Sequence, residues 1–403
     1  MKKIVFIIQP CDGNVLPVLD IVKKLVDRGA EVFFYTCNKH KSMLDKLGAV
    51  SLDYRYPYFD SESNKSIFNY HNFDYMKYLI ATTYEAMELH EKLSQTIIAD
   101  INSIKPDLII HDCFSLTGKI LAKQFSIPAI NIIPSYALNS DIPNQFLKLL
   151  LETGRREKYD ETSYETVKKA YFNTERMVIR KYPYILSLLD AVTSEEDMNI
   201  ALSCVDFNMF RDSFNSTYRF VGRLHKNEPS KNPKAKKENF SIYISMGTLF
   251  DHERDFYTKC IQAFNDTKHQ VIMKVPKNDL SYFRNMSSRN ISLYEYVPQL
   301  DVLEKSDLFI SHCGNNSFYE AIELEVPLMC CPIGIDQFFV SKTAVELGIG
   351  EIIDPQEIST QELYNKAINL INNRSVLGNL TVANKKLRKY KMFDSVVDTI
   401  ITY

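Results

Sequence analysis

Apolar and polar residues alternate along this chain in two distinct rhythms. KKIVFIIQPCDGN begins with an unbroken apolar run and then turns polar, as expected of a strand buried on both faces that leads into a loop. VLPVLDIVKKLVDRGA carries its apolar residues at helical spacing and ends at Gly29, and EVFFYTC is a second strand. This β-loop-α-β order opens a doubly wound parallel sheet, and PDLIIHD followed by GKILAKQFSIPAINII repeats it. The rhythm then breaks. Residues 223–238 are polar, rich in lysine and carry two prolines, which predicts a solvated linker rather than a phosphate-contacting run. FSIYISMGT restarts the alternation. HQVIMKV, ISLYEYV, DLFISHC and VPLMCCPI read as strands, FYEAIELE and FVSKTAVELG as helices, and the chain closes in a helix-like LRKYKMFDSVVDTIITY. Two α/β halves, 1–222 and 239–385, are therefore expected on either side of the linker.

Composition narrows the class. A chain of 403 residues exceeds one ordinary core and fits two domains of roughly 200 residues each. Apolar residues make up 45% and charged residues 24%, the balance of a globular protein. The formal net charge of −2 gives no global reason to expect nucleic acid or an anionic membrane as partner. The eight cysteines show no C-x-x-C spacing, so they read as reduced thiols rather than a disulfide or metal framework. The first apolar run is too short for a signal peptide or spanning helix, and a cytoplasmic location is the resulting expectation.

In open α/β sheets ligands lie beyond the carboxyl ends of the strands, so chemistry is sought there. HCGNNS, His312 to Ser317, follows one strand and opens a helix. Gly314 lets backbone approach a ligand closely, and the helix start attracts an anion such as phosphate. His312, Asn316 and Ser317 add side-chain donors. The same stretch also reads as a capping box, Ser317-x-x-Glu320, which needs no ligand. Ser245, Gly247 and Thr248 of SMGT form a second small cradle after another strand. Val297, Pro298 and Gln299 are expected in a loop whose backbone groups suit a base edge. Asp336 and Gln337 suit sugar hydroxyls, and Glu320, a turn beyond the phosphate position, suits a ribose.

With these residues in place, YVPQLDVLEKSDLFISHCGNNSFYEAIELEVPLMCCPIGIDQ resembles the sugar-nucleotide signature of the family 1 glycosyltransferases. Over nearly its whole length the chain is similar to the bacterial macrolide-type enzymes that use UDP-sugars. The resemblance implies the GT-B fold, two Rossmann-like doubly wound domains facing across a cleft, with acceptor bound by the first and UDP-sugar by the second. It implies that Ser245, Gly247 and Thr248 line the diphosphate, that Val297 and Gln299 hold uracil, and that His312, Gly314, Asn316 and Ser317 grip the phosphates. Glu320 would hold the ribose, and Asp336 with Gln337 the transferred hexose, expected to be glucose, moved with inversion. No cofactor or metal is implied, and the chain has no D-x-D. The last segment, 386–403, would cross back to the first domain.

The first half departs from the family pattern. Relatives carry G-H-x-x-P after the first strand, the histidine serving as base; here the residues are Gly13-Asn14-Val15-Leu16-Pro17. Asn14 takes up no proton at neutral pH, although the usual supporting carboxylate matches Asp112. A positioned base is worth about 10² to 10⁴ in rate. Three readings stay open: Asp112 or Asp12 serves as base; the acceptor is an acidic phenol or an amine; or the protein binds UDP-sugar without turnover. An epimerase of the same fold, releasing UDP with no acceptor, is a further alternative, whereas the absence of G-x-G-x-x-G after the first strand speaks against a nicotinamide dehydrogenase. His111 is expected to point to the opposite face from Asp112. Ten aromatic residues between Tyr54 and Tyr84, with Tyr56, Tyr70, Phe73 and Tyr78 among them, together with Tyr136, are the candidates for an apolar acceptor pocket, and they suit helix packing as well. The segment from Asn139 to Tyr182 is expected to be a helical insertion on the same side.

Overall fold

The computed structural model describes residues 1–56, 75–141, 161–222, 238–247, 254–334, 336–390 and 393–403. They fall into two compact units, one of the described residues up to 222 together with 390 and 393–403, the other of the described residues from 238 to 389. The expected linker up to residue 237 and the acceptor candidates Tyr70 and Phe73 lie outside the described residues, as do Thr248 and the side chain of Tyr78.

The first unit is built on seven parallel strands: β1 (Lys3–Ile7), β2 (Glu31–Thr36), β3 (Val50–Asp53), β4 (Leu108–Asp112), β5 (Ala129–Ile133), β6 (Asn199–Ala201) and β7 (Tyr218–Phe220). Their order is β3-β2-β1-β4-β5-β6-β7. Helices α1 (Asp12–Asp27), α2 (Asn38–Lys46), α3 (Tyr75–Ile104), α4 (Leu116–Phe125), α5 (Glu161–Lys181) and α6 (Asp190–Thr193) connect or cover them. The apolar run of β1 divides by strand alternation between two cores. Ile4, Phe6 and Ile8 pack with Val15, Val18 and Val22 of α1, whereas Val5 and Ile7 pack with Ile97 and Ile101 of α3. Helix α1 ends where Gly29 turns left-handed at φ +83°, a conformation that costs glycine nothing extra.

The second unit repeats the plan with β8 (Ser241–Ser245), β9 (Gln270–Lys274), β10 (Ile291–Tyr294), β11 (Leu308–Ser311), β12 (Leu328–Cys330) and β13 (Gly350–Ile352), in the order β10-β9-β8-β11-β12-β13. Its helices are α7 (Arg254–Phe264), α8 (Leu280–Arg284), α9 (Gln299–Leu303), α10 (Asn315–Glu323), α11 (Gln337–Glu346), α12 (Thr360–Asn372) and α13 (Arg374–Leu387). Every strand pairing is parallel, β8 running beside β11 with Ser245 opposite Ser311 and beside β9 with Ser245 opposite Lys274.

The terminal segment differs from the single helix expected over 386–403. Residues 386 and 387 complete α13, and a separate helix, α14 (Phe393–Thr402), follows. Tyr390 lies between them. Its hydroxyl donates to Asp206 Oδ2 at 2.9 Å, and a Cβ on Gly222 would lie 2.5 Å from its own Cβ. These contacts anchor Tyr390 in the first unit. Val396, Val397 and Ile400 of α14 are buried in the α1 core, and Lys2 Nζ donates to the carbonyls of Ile400 and Ile401, each at 3.1 Å.

Candidate active site

Both sheets reverse their order of build-up between the first and fourth strands of the unit, β1/β4 and β8/β11. Such a switch point opens a crevice at the carboxyl ends of the strands. Ser245, Gly247, His312, Gly314, Asn316 and Ser317 end or follow the strands at the second of these places, and Asp12, Asn14 and Asp112 at the first.

At the second switch point, β8 leads into Ser245, Met246 and Gly247, and β11 leads into His312, Cys313 and Gly314. The two loops meet around one imidazole. A Cβ on Gly247 would lie 2.7 Å from His312 Cε1 and Nε2, and one on Gly314 would lie 2.7 Å from Nε2, so glycine at both positions makes room for the ring. Gly247 is also left-handed at φ +84°, and Cys313 takes φ +61°, a strain of roughly 1–2 kcal/mol for a residue with a side chain. Enclosure of the His312 ring, aided by the charge of Lys274, lowers its pKa to about 4. His312 is therefore neutral at pH 7 and meets a ligand as a single N–H donor or an acceptor.

Helix α10 begins at Asn315 with Gly314 as N-cap, and no side chain caps it. The capping-box reading fails for a geometric reason: Ser317 stands in the first turn of the helix instead of before it. The turn's amides have no acceptor within the helix, the arrangement that suits an anion at the positive end of the dipole. Ser317 Oγ instead accepts from Gln299 Nε2 at 3.2 Å, and the same amide donates to Glu320 Oε2 at 2.6 Å. Gln299 Oε1 accepts from Tyr243 Oη at 3.2 Å. The Gln299 side chain thus orients Ser317 and Glu320, while the neighbouring Val297 is buried and Tyr296 is exposed over 77% of its surface. Gln337 Oε1 accepts the amides of Ile333 and Gly334 at 2.9 and 3.2 Å, which holds the loop after β12, and Asp336 occupies the N-cap position of α11 beside it without a side-chain capping bond.

At the first switch point, Asn14 sits buried in the first turn of α1. Its Nδ2 donates to Asp112 Oδ2 at 2.9 Å, and the backbone amide of Gln9 reaches the same oxygen at 3.0 Å. Asp112 is fully buried at the end of β4, and burial raises its pKa to about 7. Asp12 has the opposite environment. His40 Nε2 lies 2.7 Å from its Oδ1, and Lys39 Nζ donates to Oδ2 at 2.6 Å. The hydrogen bond from His40, reinforced by Lys39, lowers its pKa to about 2. The sequence reading missed His40, a fully buried residue far from Asp12 in the chain and brought to it because β2 lies beside β1. His111 is fully buried on another side of β4, its Nε2 3.2 Å from Glu196 Oε1.

Two acceptor candidates take part in packing. Tyr136 is buried edge-on to Phe210, with its hydroxyl accepting the amide of Met209 at 2.8 Å. Tyr56 packs on the core beneath α3, and Lys92 Nζ donates to its hydroxyl at 2.9 Å. Aromatic residues serve folded cores and ligand walls equally, which is why the sequence could not separate the two uses.

Two parallel α/β units with these switch points define a GT-B protein. Comparison with solved structures agrees: the kitacinnamycin glycotransferase superposes with a TM-score of 0.79 at 18% identity, over 100% of this chain and 98% of that one. An uncharacterized UDP-glucosyltransferase, YojK of Bacillus subtilis, is 24% identical over 99% of this chain and 98% of its own length. The oleandomycin glycosyltransferase of Streptomyces antibioticus is 21% identical over 90% of this chain and 82% of its own. Residues 185–386, half of the chain, match the family described as UDP-glucoronosyl and UDP-glucosyl transferase. The chain belongs to that family, and it is a family 1 glycosyltransferase. No helix among the described residues is long and apolar enough to cross a membrane.

Proposed function

We propose that this glycosyltransferase moves a hexose, glucose by preference, from UDP to a small aromatic acceptor whose nucleophile is an acidic phenol or an amine. The nucleotide diphosphate rests on the cradle of His312, Gly247 and the first turn of α10. Glu320, steered by Gln299, takes the ribose, and Asp336 with the amide nitrogen of Gln337 takes the sugar. The anomeric carbon bonds to the acceptor while its bond to the terminal phosphoryl oxygen breaks, the electron pair leaving with UDP. The acceptor proton goes to water or has left beforehand. The reaction needs no metal in this reading.

One observation carries the choice of acceptor: an amide stands at position 14, hydrogen-bonded to a carboxylate sealed behind it. Asp112 offers one oxygen to Asn14 and Gln9 and encloses the other, so it reaches no acceptor directly. Asp12 is the more accessible carboxylate, but with a pKa near 2 it is a weak base. What Asn14 retains is its carbonyl oxygen, an acceptor that orients a hydroxyl without deprotonating it. A nucleophile that ionises easily suits that equipment, and a simple alcohol does not.

The test is a panel of acceptors graded by acidity, with a fixed UDP-sugar. Nitrophenols and acidic phenols should turn over well and aliphatic alcohols poorly. Asn14→His should raise aliphatic turnover by about 10² to 10⁴ while changing phenol rates little. Equal rates for phenols and alcohols in the unaltered enzyme would refute the reading.

A further inference from the structure

Lys274 ends β9 directly beside the phosphate cradle, at a position that the sequence reading passed over as the tail of an apolar strand. Strand register sets it opposite Ser245 on β8, and its Nζ donates to the carbonyl of Gly247 at 3.3 Å. Gly247 is in turn packed against the His312 ring. The ammonium group, the β8 loop and the imidazole therefore share one small volume at the second switch point.

The charge of the reaction gives this placement meaning. Ser245, Gly247, Gly314, Asn316 and Ser317 are uncharged, His312 is neutral, and Glu320 is negative. The positive end of α10 contributes only about half a unit charge. UDP-sugar brings two negative charges, and a third appears on the terminal phosphoryl oxygen when the bond to the anomeric carbon breaks. A cation held by the backbone of the cradle itself stabilises that developing charge without reorganising. We propose that Lys274 is the counter-charge to the departing diphosphate, which assigns it to donor binding and to leaving-group stabilisation. This inference rests on the nucleotide reading of the second unit.

A neutral structural role for Lys274, in which it merely caps the Gly247 carbonyl, makes a different prediction. Lys274→Gln keeps a donor for that carbonyl but loses the charge; Lys274→Met loses both; Lys274→Arg keeps both. Calorimetric titration with UDP and with uridine separates the roles. Loss of a charge-assisted contact predicts that Lys274→Gln and Lys274→Met bind UDP about 10- to 100-fold more weakly. Uridine binding should change by less than about 3-fold, because uridine carries no phosphate. Lys274→Arg should retain most of the UDP affinity, and kcat should fall in Lys274→Gln and Lys274→Met alone. UDP affinity in Lys274→Gln equal to the unaltered protein, or equal weakening toward UDP and uridine, would overturn the assignment. Failure of the unaltered chain to bind either compound would overturn the nucleotide reading of the site and the assignment with it.

Discussion

An amide at position 14 changes more than proton transfer, because it leaves Asp112 with a neutral partner. A buried carboxyl beside a neutral donor is held protonated to higher pH than in the unfolded chain, where its pKa is about 3.8. The folded form therefore keeps a proton that the unfolded form gives up between about pH 4 and 7. The sign follows: this group's contribution is complete below pH 4 and is lost as pH rises through 7, a change of up to about 4 kcal/mol. Thermal midpoints measured at pH 5 and pH 8 should differ less in Asp112→Asn than in the unaltered protein, the variant losing less stability on the alkaline side. Identical pH profiles would show that Asp112 is ionised in the fold. At this scale the sequence revealed residue types but not their partners. His312, Gly314 and Ser317 were legible because strand, glycine and helix start follow one another within a few residues. The Asp12–His40 contact and the Gln299 link to Glu320 were not, since each depends on which strands or helices become neighbours.

Elements were easier to read than contacts. A strand buried on both faces announces itself as a short apolar run, and β1, β4, β8 and β11 were visible in that way. The terminal helix was visible in part. Its apolar positions are plain in FDSVVDTI, but the anchoring of Tyr390 that separates it from α13 depends on the space left by Gly222. Helix α14 seals the α1 core, with Ile400 fully buried and ion pairs Lys24–Asp394 and Arg28–Asp398 along its edge. Those exposed pairs contribute little, so the apolar contact is what holds the helix. Ile400→Ala should cost about 2–5 kcal/mol in urea unfolding, whereas Asp398→Asn should cost less than about 1 kcal/mol. A larger loss from Asp398→Asn than from Ile400→Ala would show that charge, not burial, docks the element.

For the molecule as a whole, the two units share one strand order yet divide the chemistry. The second carries a cradle assembled from glycines, a neutral histidine, an uncapped helix start and Lys274; the first carries an amide and two carboxylates of opposed acidity. The strand-glycine-helix sequence of the second was readable because an anion-accepting helix start is marked by backbone and small residues at fixed local spacing. The aromatic side chains expected to wall an acceptor follow no spacing rule, and Tyr136 and Tyr56 also take part in packing. The central claim is that UDP binds at the β8/β11 switch point. Amide hydrogen exchange with and without saturating UDP tests it most directly. The account predicts slowed exchange at residues 245–247 and 312–320 and no change at residues 12–14 and 108–112; protection confined to the first unit, or none anywhere, would contradict it.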